Sequence, residues 1–326
     1  MSSRRLSPSW QEVPGRPVPY REEQSPYGGV QGRARPAPVS LAPIPTHVGP
    51  ARALVSRLLR RPAAWLGLVV LLLAAMGGAC APQLAGFPPD QIDLAAQLQA
   101  PTLLHPLGTD FYGRDLLSRL LYGARATMAV AGAAVALALS LGTVIGLLAG
   151  YSRGWAAQAW VALIDLWLAF PALLLALLVV ALLGPGLRTL AMAVGFAGIP
   201  NYARLVRSIT LSLRNAAYVE AAYAIGATTV RILVRHLLPG VVGPVLALAT
   251  LDMGWAVLHV AGLGFLGLGA PPPQAEWGLM LYEGRGYLAA APWASVVPGL
   301  AITLTVLGVT LLGDALSDIL QPRARG

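Results

Sequence analysis

The chain has 326 residues, 56% of them hydrophobic and 11% charged, with mean hydropathy +0.65 and a formal net charge of +9. Its charges are gathered in short zones between long uncharged runs, a distribution that excludes an ordinary soluble domain and is the one expected when lipid is the solvent. All 23 basic residues are arginine, so the chain holds no phosphate loop ending in GK[ST], and if ATP powers it another subunit must hydrolyse the nucleotide.

In chain order, residues 1–55 are rich in Pro, Gly, Ser and Arg without apolar periodicity, and are expected to form a disordered cytoplasmic tail. The first apolar run, Pro62–Ala81, starts too far in for a cleavable signal peptide; within it Cys80, the only cysteine, is expected to pack as a small hydrophobe. An external loop is predicted over residues 82–122, followed by a second run, Ala126–Ser152. In that run Gly142, Gly146 and Gly150 line one face, and small residues at this spacing let two helices approach closely. Further runs are Leu166–Leu187, Thr189–Ala203, Leu237 past Asp252 to Ala275, and Gly286–Gly313, with a polar cytoplasmic segment at residues 204–238. A span needs about 20 apolar residues, and irregular backbone cannot face lipid. The predicted fold is therefore an all-α membrane protein with six transmembrane helices in one domain, residues 56–326.

With the N-terminus inside, eighteen arginines fall on the cytoplasmic side and five outside, namely Arg114, Arg119, Arg125, Arg188 and Arg285. The positive-inside rule selects this orientation and puts both termini in the cytoplasm. The basic residues have no interleaved stacking face, so the net charge implies contact with anionic lipid and no nucleic-acid partner.

Two carboxylates stand near membrane depth. Asp165 and Asp252 are intramembrane polar candidates because an ionisable group there is costly and usually faces a cavity or the bundle interior. Asp165 follows Arg153 closely enough to sit at the interface instead, and Asp252 is seven residues from His259, with which it could share a structural network or a proton path. Gly262, Gly264 and Gly267 spell GxGxxG without the strand and ribose-binding acid of a dinucleotide site, so helix-end packing is expected. His105, Asp110 and Asp115 lack compact ligand spacing, and no metal site is expected.

The segment Tyr218–Pro239, YVEAAYAIGATTVRILVRHLLP, is amphipathic and lies between very apolar stretches. Tyr218, Ala222 and Ile225 fall at i, i+4 and i+7 as an apolar stripe, and Gly226 permits the helix to stop and turn before an arginine-flanked second piece. The expectation is a protruding cytoplasmic helix-turn.

Two long motifs carry a family resemblance. HPLGTDFYGRDLLSRLLYGAR at His105–Arg125 resembles the signature after the first span of C-type inner-membrane permeases of dipeptide, oligopeptide and nickel ABC importers, and Glu220-Ala221-Ala222, Gly226 and His236-Leu237-Leu238-Pro239 resemble the EAA loop of ABC importer permeases. YARLVR at Tyr202–Arg207, FLGLGAPPPQAEWG at Phe265–Gly278 and GDALSDILQPR at Gly313–Arg323 extend the similarity over roughly residues 55–325. Gly240 and Gly264 stand where Asn and Ser are common in that family.

The resemblance implies a type I importer permease fold with a cytoplasmic coupling helix. Its partners would be a related permease in a heterodimer, two ATPase subunits and a soluble substrate-binding protein, and its location a bacterial inner membrane. ATP and Mg would be used by the ATPases, with no cofactor on this chain and no catalytic residue. Glu220, Ala221, Ala222, Gly226, His236, Leu238 and Pro239 would couple to the ATPase. His105, Pro106, Gly108, Asp110, Gly113, Arg114 and Asp115 would contact the binding protein or gate the outer mouth, or alternatively form a folded cap. Short peptides are the expected cargo, with a nickel or other solute importer as the alternative and a proton-coupled carrier as a further one.

Overall fold

The computed structural model of the chain describes residues 62–320, with side chains as far as 316, so the tail expected at residues 1–55 lies outside the described residues. Ten helices longer than three residues are described: α1 (Pro62–Ala79), α2 (Ala81–Leu84), α3 (Leu116–Tyr151), α4 (Gly154–Leu168), α5 (Ala172–Leu183), α6 (Leu187–Leu213), α7 (Ala217–Ala224), α8 (Thr229–Phe265), α9 (Trp277–Gly284) and α10 (Trp293–Leu320). Among the described residues β structure is limited to one isolated bridge, Thr109 with Asp115.

Helices α1, α3, α8 and α10 are each long and apolar enough to cross a membrane, and α4 with α5 would make a fifth crossing bent by 86°. α6 spans 27 residues, but its arginines make it less apolar than the others. Several boundaries differ from expectation. The second span begins at Leu116, because Asp115 caps it by accepting from the Ser118 N–H; the predicted loop 82–122 therefore stops short, and Arg119 and Arg125 are helical. The run expected at Leu166–Leu187 is a bent pair starting at Gly154, broken ahead of Pro171, whose preceding residue is disfavoured in helical geometry. The apolar run to Ala275 leaves the helix at Phe265, and the last span lies at 293–320 instead of 286–313. Cys80 is exposed at the end of α1 and does not pack as a core hydrophobe.

The core is built around α3 and α6, which pack along much of their length. A methyl group added at Gly146 would stand 2.6 Å from Val206 Cβ, and one at Gly150 2.5 Å from Thr210 Cβ. The glycine series is thus the surface on which α6 lies, as its spacing implied. One core cluster joins α3, α6, α8 and α9 through residues such as Val130, Leu190, Val257 and Trp277. A second sits towards the 204–238 segment and includes Tyr202, Val206, Val219, Ala222, Ile232 and Val241. Leu66, Leu73 and Met76 of α1 remain largely exposed, as befits a helix turned towards lipid.

The GxGxxG residues close α8. Gly267 has φ +78°, its N–H bonds to Gly264 O, and the Leu268 N–H bonds to Leu263 O, the paired bonds of a Schellman stop. Gly264 itself is pressed against Glu276 and Gly278, where a side chain would collide.

Candidate functional site

Three polar regions stand out, at the two ends of the spans and in the middle. The first is a buried charge network at the start of α3. His105 Nδ1 donates to Asp115 Oδ1 at 3.0 Å, while the other Asp115 oxygen caps α3. Asp110 accepts from the Arg114 backbone N–H and, at 2.6 Å, from Arg114 Nε. Glu283, at the end of α9, accepts from Arg114 Nη2 at 2.7 Å and from Arg119 Nη2 at 3.0 Å. Arg119 also donates to the Pro89 and Pro273 carbonyls, tying two loops to the helix. Isolated charges could not be buried this way; paired and hydrogen-bonded ones can.

The glycines of this motif are there for the backbone. Gly108 and Gly113 have φ +79° and +73°, and a Cβ at Gly113 would strike the Asp93 carbonyl. The structure therefore brings His105 to Asp115 and Asp110 to Arg114, with Gly108 and Gly113 shaping the turns between them. Pro106 is exposed, whereas the charged members of the motif face inward. What the loop presents outward is Leu103, Leu104, Phe111 and Tyr112.

Two participants had no role assigned from sequence. Glu283 is the shared acceptor of both arginines. Glu276 is fully buried and caps α9, accepting from the Gly278 and Leu279 N–H groups at 2.9 Å and from the Thr127 hydroxyl at 3.1 Å. An acid directly before Trp277-Gly278 at a helix start was the available signal, but its third partner lies 149 residues away in sequence.

The second region is the helix-turn of α7 and the start of α8. Val219 and Ala222 are buried against Ile232 and Leu237, while Tyr218 and Ile225 are exposed. The expected stripe of Tyr218, Ala222 and Ile225 is thus corrected: Val219 and Ala222 anchor the helix, three residues apart, and Ile225 points away at 84% exposure. Gly226 has φ +76°; its N–H bonds to Tyr223 O and the Ala227 N–H to Ala222 O, another Schellman stop. Glu220 and Ala221 lie on the exposed side. Tyr223, partly desolvated and beside the Tyr151 hydroxyl, has its phenol pushed up to about 12 and stays neutral.

Thr228 caps the start of α8, and Ile232–Leu237 is π-helical, with the Leu238 N–H reaching Leu233 O. Pro239 lacks the next donor, which accounts for the wider turn just before it. His236 Nδ1 donates to Arg231 O at 3.3 Å, and Leu238 and Pro239 begin the regular α-helical part. Gly240 faces Leu213, whose Cδ1 would lie 2.5 Å from an added Cβ.

The third region lies between α3, α5, α6 and α8. Asp252, Asn201, Trp255 and His259 line a cleft of about 260 Å³ whose remaining wall is mostly alanine. Asp165 is elsewhere, on α4, paired with Arg204 at 3.1 Å in an exposed ion pair.

The described residues thus form a helical bundle with spans apolar enough to cross a membrane, a buried charge network at the start of α3 and a helix-turn near its other end. Residues 142–326 match the family described as binding-protein-dependent transport system inner membrane component, and residues 49–101 match the N-terminal TM domain of oligopeptide transport permease C. The chain belongs to this family of inner-membrane permease components. It is 40% identical over 86% of its length to the dipeptide transport system permease protein DppC of Alkalihalophilus pseudofirmus, of which 92% is covered. It is 44% identical over 70% of its length to the glutathione transport system permease protein GsiD of Pectobacterium atrosepticum, of which 75% is covered. Its fold is similar to a chain of the inward-facing MetNI methionine ABC transporter, with TM-score 0.51 and 19% identity over 62% of this chain and 96% of that one.

Proposed function

We propose that the chain is one of two related permease subunits forming the pathway of an ABC importer for short peptides. In this reading both termini are cytoplasmic. Two ATPase subunits, using ATP and Mg, grip α7 from inside, and a soluble binding protein delivers peptide to the outer face at Leu103, Leu104, Phe111 and Tyr112. The dipeptide and glutathione systems named among the relatives support peptides as the cargo class.

The observation that carries the coupling role is the split character of α7. Val219 and Ala222 root it in the same cluster as Tyr202, Val206 and Val245 of the spans, while Glu220 and Ile225 face outward. A push on the exposed face therefore reaches α6 and α8 through packed side chains. Glu220 supplies a charge-assisted contact for the ATPase. The test is pull-down of the ATPase and peptide-stimulated ATP hydrolysis in reconstituted complexes. Glu220→Ala should insert normally and lower stimulated hydrolysis by about tenfold, the worth of one charge-assisted hydrogen bond. Wild-type hydrolysis in that variant would remove α7 as the transmission element.

A further inference from the structure

The mostly apolar cleft between α3, α5, α6 and α8 carries a few polar groups at the depth where lipid tolerates polarity least. Asp252 is the fifteenth of the 28 residues Leu238–Phe265, and Asn201 the fifteenth of the 27 in α6. Asn201 is exposed, Asp252 and His259 are partly so, and Trp255 is 62% exposed. Such groups at mid-span belong against water or a partner, not acyl chains. The alanines Ala134, Ala138, Ala197 and Ala256 leave the space in front of them open.

The hydrogen-bonding chemistry of this cleft is one-sided. His259 Nδ1 lies 2.8 Å from the Trp255 carbonyl, which can only accept, so Nδ1 carries the proton and Nε2 of the neutral ring is an acceptor. Asp252 lines the same cleft as an acceptor and is in no ion pair with an arginine among the described residues. The Tyr202 hydroxyl is buried and makes no hydrogen bond of standard geometry. Asn201 can accept or donate. A cleft with a carboxylate, an imidazole acceptor, an amide and an indole face alongside is suited to a ligand that brings three N–H donors and a positive charge.

We infer that this cleft is a binding site for a primary ammonium group, held by Asp252 with His259 and Asn201, on the path of the transported solute. The inference rests on the peptide-importer reading above. In a peptide the ammonium is the N-terminus or a lysine side chain.

The test uses the complete transporter in lipid nanodiscs, with Ala172→Cys, an exposed residue of the same cleft lining that the proposal does not use, as the single thiol in a Cys80→Ser background. Labelling by cationic 2-aminoethyl methanethiosulfonate is compared with labelling by neutral methyl methanethiosulfonate. The expected preference for the cation falls about tenfold in Asp252→Asn and returns in Asp252→Glu, as expected for a nearby carboxylate. n-Butylammonium should slow labelling. Protection by a lysine-free dipeptide identifies the N-terminus as the ligand, and protection by an N-acetylated lysyl peptide identifies the side chain. An unchanged cation preference in Asp252→Asn, or a lack of protection by n-butylammonium, overturns the site. Protection by n-butylammonium in a complex that moves no peptide upholds the site and overturns the peptide reading instead.

Discussion

Arg119 has no exposed surface at the first turn of a membrane helix, and it is tolerable there because Glu283, Asp110 and two loop carbonyls surround it. Removing one partner from a buried network leaves the other charge uncompensated, which costs about 3–5 kcal/mol. Glu283→Gln should therefore lower the thermal stability of the purified complex by that order, and Arg119→Met combined with Glu283→Gln by less than the two single changes together. Thermal unfolding of the three variants checks both statements; additive losses would mean that the pair is not coupled. Glu276→Ala removes a buried cap and strands the Thr127 hydroxyl, so a loss of about 1–3 kcal/mol is expected in the same assay. The motif HPLGTDFYGRD was legible as a unit, but its residues were read as a contact surface or gate, or alternatively as a folded cap. Only the partners across the chain, Glu283 and the Pro89 and Pro273 carbonyls, show that its charges turn inward.

At the scale of elements, the helix-turn and the α3/α6 contact make the sharpest predictions. Gly226 holds φ +76° with open space where a Cβ would be, so Gly226→Ala meets only a backbone penalty of about 1 kcal/mol and should bind the ATPase nearly normally. Gly226→Pro demands negative φ and removes the N–H bonded to Tyr223, so it should redirect α7 and abolish ATPase pull-down. Equal behaviour of the two variants would show that the Schellman stop does not set the docking geometry. Gly146→Val places branched methyls where Val206 Cβ already stands, and α3 and α6 would have to separate. The expected outcome is loss of about 3 kcal/mol or failure to accumulate in the membrane, read by quantitative immunoblot, with Gly132→Val, whose added Cβ would only touch Met253 at 4.0 Å, as the tolerated control. The glycine spacing was readable because a helix repeats every 3.6 residues. The stripe on α7 was misassigned because Tyr218 and Ile225 are apolar in type, and residue type alone does not say which side of a short helix meets the bundle.

For the whole molecule, the arginine bias sets the expected orientation. Ile225 and Leu103 are among the most exposed apolar residues of the two polar ends. In a Cys80→Ser background, Leu103→Cys should react with a membrane-impermeant maleimide in intact cells and Ile225→Cys only after permeabilisation. Labelling in the opposite pattern would invert the orientation and move the docking face outside. The number of crossings was less legible than their existence. Hydropathy marks the apolar runs, but the break between Leu168 and Ala172 and the arginines of α6 leave four clear spans, a bent fifth, and a long, less apolar partner to α3.

The distribution of charge and apolar length in the sequence was enough to determine a helical membrane protein, because partition into lipid depends on composition over about 20 residues and needs no long-range contact, and residue identity alone supplied the two motifs that mark it as an importer permease. Tertiary structure alone decided that the outer motif is a buried network, that α7 is anchored through Val219 and Ala222, and that Asn201 joins Asp252 and His259 in one cleft. Those facts depend on which helix faces pack together, and packing joins residues from separate spans that no local pattern relates.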